Sequence, residues 1–245
     1  MLEYIVTVDI GFNSHSVALF DAEENFITKV AFDELSSLIK NYKLTTQNTF
    51  GIVSSVKDTN LQDIPFKYQV ARRLLLHGKF QDMPVLYSEK IHDTRLVSSY
   101  FLYKLDNEKK LMIDCGNFTL LDVVETKGFS GGYILPSPNQ MKNIFKYSEH
   151  FKHFVNDGPI DIQFSEDLPQ DNGKSITQGL LSQYLLSIKG LIKLNNPHSI
   201  YLTGRNAEAV ARFLKPFCQK NNIGMKLNHD LVHRSLCYIA KRVYR

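Results

Sequence analysis

LMIDCGNFTLLDVVETKGFSGGYILP, residues 111–136, reads as an apolar strand, a small polar turn and an apolar return. The first strand delivers Asp114 to its end, Gly116 occupies the turn, and residues 120–124 form the second strand. A carboxylate therefore stands at the mouth of a strand. Gly131 and Gly132 follow, between Phe129 and the run 133–135, where a backbone without Cβ can approach another group closely, as phosphate handling requires. Taken alone, D-x-G between two strands is also a common structural hairpin.

The same plan occurs earlier, in YIVTVDIGFNSHSVALF, residues 4–20. An apolar strand leads to Asp9, Ile10 and Gly11, a polar turn follows at 13–16, and residues 17–20 return. Two similar hairpins thus open two halves of roughly one hundred residues, a normal domain size. The expected division is 1–110 and 111–245. Each half would point one carboxylate and one small-residue turn at a shared cleft, an arrangement suited to a nucleotide and its metal.

The chain has 245 residues, 43% of them hydrophobic, enough for one large or two modest cores, and the duplicated hairpins favour two. The formal net charge is +4, and the basic residues are scattered (Arg72 with Arg73, Lys109 with Lys110, Lys241 with Arg242 and Arg245). Without a basic stripe and interleaved aromatics, no nucleic-acid partner is expected. Cys115, Cys218 and Cys237 are far apart, and no C-x-x-C occurs, which fits a reducing cytoplasm. Cys115 alternates with Asp114 and so faces the other side of its strand, as a small buried residue. No apolar run reaches membrane-spanning length, and a cytoplasmic location with no membrane partner is expected.

In order, residues 24–32 read as a third strand, 33–43 as an amphipathic helix and 50–53 as a strand ending at Ser54-Ser55. Residues 61–77 carry Ile64, Tyr68, Ala71, Leu74 and Leu75 at helical spacing, which predicts a helix begun near Pro65. A short strand, MPVLYSE, is followed by a helix with the stripe Leu96, Val97, Tyr100 and Phe101, and Asp93 stands where an N-cap is expected. Later helices are expected over 138–151, 177–194, 207–217 and the closing segment 229–245, with a strand ending at Thr203-Gly204. The pairs His150/His153 and His229/His233 lack a partnering carboxylate cluster, so no zinc site is expected. Gly173-Lys174-Ser175 lack the upstream glycine of a phosphate loop.

Asp9-Ile10-Gly11, HDTR at 92–95, IDCGNFTLLD at 113–122, GGYILP at 131–136, DLPQDNGKSIT at 167–177 and LTGRNAE at 202–208 occur in the order of a type III pantothenate kinase, which the chain resembles through nearly its whole length. The resemblance implies an α/β fold of two ribonuclease H-like domains, as in the actin-like superfamily of acetate kinase, sugar kinases and Hsp70, facing a nucleotide cleft. It implies ATP-dependent phosphorylation of pantothenate, or of a similar small hydroxylated acid, in coenzyme A synthesis. ATP, Mg²⁺ and a monovalent cation, K⁺, would be the cofactors, and a homodimer the assembly.

By the same resemblance, Asp9, Gly11, Asn13, Ser14, His15, Ser16, Asn117 and Gly204 would contact ATP, and Asp114 and Asp9 would hold cations. His92, Asp93, Thr94, Arg95 and Thr177 would contact the acceptor, with Ile176 or Thr177 at the final position according to register. The family's base lies in G-x-D-R, and the ungapped match puts Thr94 on the aspartate. A threonine positions a hydroxyl but has no proton affinity near neutrality, so the catalytic pair is Thr94 with Asp93, one residue and about 100° of helix away. His92 is a further candidate base. Phe12 replaces a small polar residue, unless the turn slips so that Asn13 takes that place. Asn117 and Leu120 replace threonines, and Arg205 replaces a glycine. These changes support the alternative, a catalytically silent homologue acting as a binding or regulatory module.

Overall fold

The computed structural model describes residues 2–11, 15–55, 64–87 and 90–243. By contacts the chain divides into two compact units, residues 1–107, 127–130 and 230–245, and residues 108–126 and 131–229.

In the first unit, β1 (Tyr4–Ile10) is the central strand, antiparallel to β2 (His15–Asp21), which pairs in turn with β3 (Phe26–Ala31). After helix α1 (Leu35–Tyr42) the chain adds β4 (Thr49–Ser55) parallel to β1, and then β5 (Lys67–Val70) parallel to β4. The order is β3-β2-β1-β4-β5. A small antiparallel sheet of β6 (Leu75–Leu76), β7 (Lys79–Phe80) and β8 (Met83–Pro84) precedes α2 (Asp93–Tyr103).

The second unit repeats the order. Here β9 (Lys110–Cys115) is antiparallel to β10 (Phe118–Glu125), β11 (Gly128–Pro136) forms the edge, and α3 (Pro138–Lys146) and α4 (Asn172–Asn195) follow. Then β12 (Ser199–Thr203) pairs parallel to β9, α5 (Ala207–Lys220) follows, and β13 (Gly224–Leu227) pairs parallel to β12, giving β11-β10-β9-β12-β13. Finally α6 (Leu231–Val243) packs against β1 and α2. The closing helix, grouped by sequence with the second half, thus completes the first unit.

Period-2 alternation sorts the side chains of β1 onto two faces. Val6, Val8, Val17 and Leu19 pack with Leu35 and Leu38 of α1. Ile5, Ala18, Phe20 and Ile52 pack with Leu96, Val97 and Tyr100 of α2 and with Leu236, Ile239 and Ala240 of α6. The second unit has one core, in which Leu111, Ile113 and Cys115 meet Tyr184, Leu185 and Ile188 of α4 and Val210 and Leu214 of α5. Cys115 lies inward, as alternation requires.

Residues 64–76 depart from the expected helix. They form β5, a single 3₁₀ turn over Ala71–Leu74 and β6. Ile64, Phe66 and Tyr68 serve the α1-side core, whereas Ala71, Leu74 and Leu75 serve the opposite one. Helical spacing here belongs to a strand that changes faces. At α2 the N-cap is His92, and Asp93 is the first helical residue. Helix α3 stops at Lys146 rather than 151, and α4 starts earlier than expected because Asp171 caps it, accepting from the Lys174 amide at 2.8 Å.

Candidate functional site

In the first unit, the side chains of Thr7 and Asp9 emerge on the α6 face of β1. Asp9 pairs across the ladder with Ser16 of β2 on one side and with Ser54 of β4 on the other. Asp9 and Ser16 are half-buried, and Ser54 is fully buried. Behind them lies His233 of α6, with Nδ1 2.8 Å from Thr7 Oγ1 and Nε2 2.8 Å from Ser16 Oγ. Burial, with the charge of Lys29 adding to it, holds the His233 pKa down at about 4, so the ring is neutral near pH 7. His15 opens β2, exposed and opposite Ile10, and Gly11 follows the end of β1. Phe12, Asn13 and Ser14 lie outside the described residues.

At the start of α2, His92 is exposed, Thr94 is half-buried, and Asp93 and Arg95 are 4% and 3% exposed. The Asp93 carboxylate is no cap for its own helix. The Ser55 and Arg72 amides and the Arg72 side chain, with Nη1 3.7 Å from Oδ1, favour its ionised form, but desolvation is larger and raises its pKa. The Arg95 guanidinium lies beside the edge-to-face pair of Tyr87 and Phe129, 5.4 and 5.6 Å from their centroids. The pKa of His92 is lowered by desolvation and by Arg95, Arg72 and Lys90.

In the second unit, Asp114 stands where Asp9 stands in the first. It lies one residue before the end of β9, opposite Leu120 of β10, and faces Thr203 on the parallel side. Desolvation, with the Asp122 carboxylate adding to it, pushes Asp114 up to about 6. Gly204, at φ +90°, lets the turn after β12 close on this carboxylate, and a Cβ there would lie 2.5 Å from Asp114 Oδ1. Asn117 is exposed in the β9–β10 turn, and its carbonyl accepts from the Ser137 amide at 3.2 Å. Thr119 is fully buried, its hydroxyl 2.7 Å from Tyr184 OH. Arg205 is exposed. Gly132 does allow a close approach, but to its own sheet, since a Cβ there would lie 2.6 Å from Asp122 Oδ1. Thr177 sits within α4, not on a loop, lining a groove of about 450 Å³ with Lys142, Phe154 and Ile160.

The structure therefore brings Asp9 together with Ser16, gathers 92–95 at one helix start, sets Gly204 against Asp114, and leaves Thr177 with a separate groove. His233 and Ser54 are the neighbours that sequence reading missed. The oxygens at both aspartates suit hard cations, and the mutual repulsion of Asp114 and Asp122 is of the kind a bound cation relieves. Among the described residues, no group of three or more His, Cys, Asp or Glu side chains is placed to hold a metal ion, and no helix is long and apolar enough to cross a membrane.

Two sheets of this order, each with an aspartate one residue before the end of its central strand, give an actin-like fold of two ribonuclease H-like units. A Sinorhizobium meliloti protein assigned as a 2-dehydro-3-deoxygalactonokinase superposes with a TM-score of 0.64 at 10% identity, covering 98% of this chain and 99% of that one. A Campylobacter jejuni protein assigned as a Baf family transcriptional activator gives 0.58 at 18% identity, covering 97% and 98%. No family model matches the sequence. The chain is distantly similar in sequence to the type III pantothenate kinase of Campylobacter hominis, 26% identical over 163 residues, 65% of this chain and 68% of that protein.

Proposed function

We propose that the chain transfers the γ-phosphoryl group of ATP to the primary hydroxyl of a small hydroxylated acid, pantothenate by similarity, with Asp93 as the proton acceptor. The observation that carries this reading is the duplicated strand end, with Asp9 and Asp114 at equivalent positions of two sheets of the same order. Phosphoryl transfer asks a protein mainly to position two substrates and neutralise spreading charge. Asp9 would hold Mg²⁺ and Asp114 the monovalent cation, the ions supplying that neutralisation when bound. His15, Asn117 and the turn at Gly204 would face the nucleotide, and His92 and Thr94 would flank the acceptor. Burial raises the pKa of Asp93, which strengthens it as a base, and Ser55 and Arg72 hold its carboxylate.

The second reading is a binding or regulatory module that keeps the fold without the transfer. Arg95 favours it, because a guanidinium that is 3% exposed and packed against Tyr87 and Phe129 is poorly presented to a substrate carboxylate. Mass-spectrometric detection of phosphopantothenate, from pure protein with pantothenate, ATP, Mg²⁺ and K⁺, separates the two. The kinase reading expects product from the wild type and about 10²–10⁴-fold less from Asp93→Asn. No product from either the wild type or Thr94→Asp, both folded, would leave the module.

A further inference from the structure

Each ring nitrogen of His233 meets one hydroxyl, and the hydrogen-bond chain through them has a direction. Thr7 donates its proton to the Ala18 carbonyl, Oγ1 to O at 3.3 Å. With that proton committed, Thr7 Oγ1 accepts at its 2.8 Å contact with His233, so Nδ1 carries the ring hydrogen. The ring is 2% exposed and each of its nitrogens meets a hydroxyl rather than a carboxylate, the setting of a neutral imidazole with a single N–H. Nε2 is therefore an acceptor, and at 2.8 Å Ser16 donates to it. Ser16 is left with oxygen lone pairs, not a proton, to present elsewhere.

Asp9 lies across the ladder from Ser16, and Ser54 flanks Asp9 from β4. The Ser54 Oγ is fully buried and, among the described residues, has no hydrogen-bond partner. A carboxylate and two hydroxyl oxygens in one row are the donor set of a hard cation. A phosphate oxygen, by contrast, needs donors, and the one proton Ser16 owns points into the protein.

We propose that His233 is a positioning residue that fixes Ser16 as a lone-pair ligand beside Asp9, making this strand end a seat for a divalent cation rather than a hydroxyl donor to phosphate. The inference rests on the reading of Asp9 as a cation-holding residue and assigns its neighbours. The relay runs from Ser16 through His233 and Thr7 to the Ala18 carbonyl, so it anchors the ligand to the backbone of β2 from a helix more than two hundred residues later in the chain. Such support from behind a ligand is worth on the order of tenfold or more in metal affinity.

The test uses the full chain with ¹⁵N-labelled histidine and Mn²⁺ alone as the probe. Long-range ¹H–¹⁵N spectra should show His233, assigned by its loss in His233→Gln, protonated on Nδ1 and bare on Nε2; the opposite tautomer would overturn the proposal. Titrated Mn²⁺ should broaden the His233 ring signals saturably, be displaced by Mg²⁺, and fail to do so in Asp9→Asn. By calorimetry, Ser16→Ala and His233→Leu should each bind Mn²⁺ on the order of tenfold more weakly, while His233→Gln, which keeps one donor and one acceptor, should restore most of the affinity. If His233→Leu does not fold, Ser16→Ala decides, since it leaves the imidazole in place. Wild-type affinity in Ser16→Ala, or no broadening in the folded wild type, would refute the assignment. None of this needs ATP or an acceptor, so a chain that behaves as expected here but makes no phosphorylated product upholds the relay and removes the kinase reading.

Discussion

Among single residues, His233 carries the clearest pH signature. Its folded pKa of about 4 lies below the ordinary 6.5, so between those values the unfolded chain binds the extra proton. Stability from this group is therefore complete above pH 6.5 and is lost as pH falls toward 4, a swing of about 3 kcal/mol. Urea unfolding of the wild type and His233→Gln at pH 7 and pH 4.5 checks this. The wild type should lose clearly more than the variant, and equal losses would mean that the ring is not buried as described. Nothing local in the sequence announced this histidine. Its partners Thr7 and Ser16 are 226 and 217 residues away, and reading it beside His229 directed attention to metals instead. Asp93 was singled out by motif, yet its burial depends on Arg72 as well as on Ser55, and the turn that carries Arg72 was not placed by spacing, although the strand that ends at Ser55 was.

At the scale of elements, α6 is a structural part of the first sheet. Leu236 is fully buried among Ile5, Phe20 and Leu96, so Leu236→Ala should cost about 2–5 kcal/mol. Hydrogen exchange should show the loss in β1 and β4, with β9 and β12 keeping their protection; uniform loss would mean that the two units unfold as one. The two hairpins were legible because each pairs a short apolar run with a glycine-bearing polar turn, and run length and flanking glycines favour strands over a helix. The stretch 64–76 was not, because its apolar residues divide between cores on opposite faces of one sheet. Periodicity counts apolar positions and cannot say which core each one enters.

For the whole molecule, the repeated strand order accounts for why two weak D-x-G motifs were informative together, since one sheet plan occurs twice. The homodimer is a proposal supported by α4, where Leu186 and Leu194 are 51% and 73% exposed and Gly190, between them at helical spacing, has open space where a Cβ would stand. Sedimentation velocity should give a dimer for the wild type and a monomer for Leu186→Lys, and a wild-type monomer at micromolar concentration would end the idea. The return of α6 to the first unit also bears on synthesis. On a ribosome, β1 through β5 emerge early but cannot close the face that Leu236, Ile239 and Ala240 cover until α6 has followed. Residues 108–229 emerge in between and already hold every strand and helix their sheet needs. The half translated first is thus the half finished second, and during elongation the apolar face of Ile5, Ala18 and Phe20 waits with α2 alone to cover it, a surface open to chaperones.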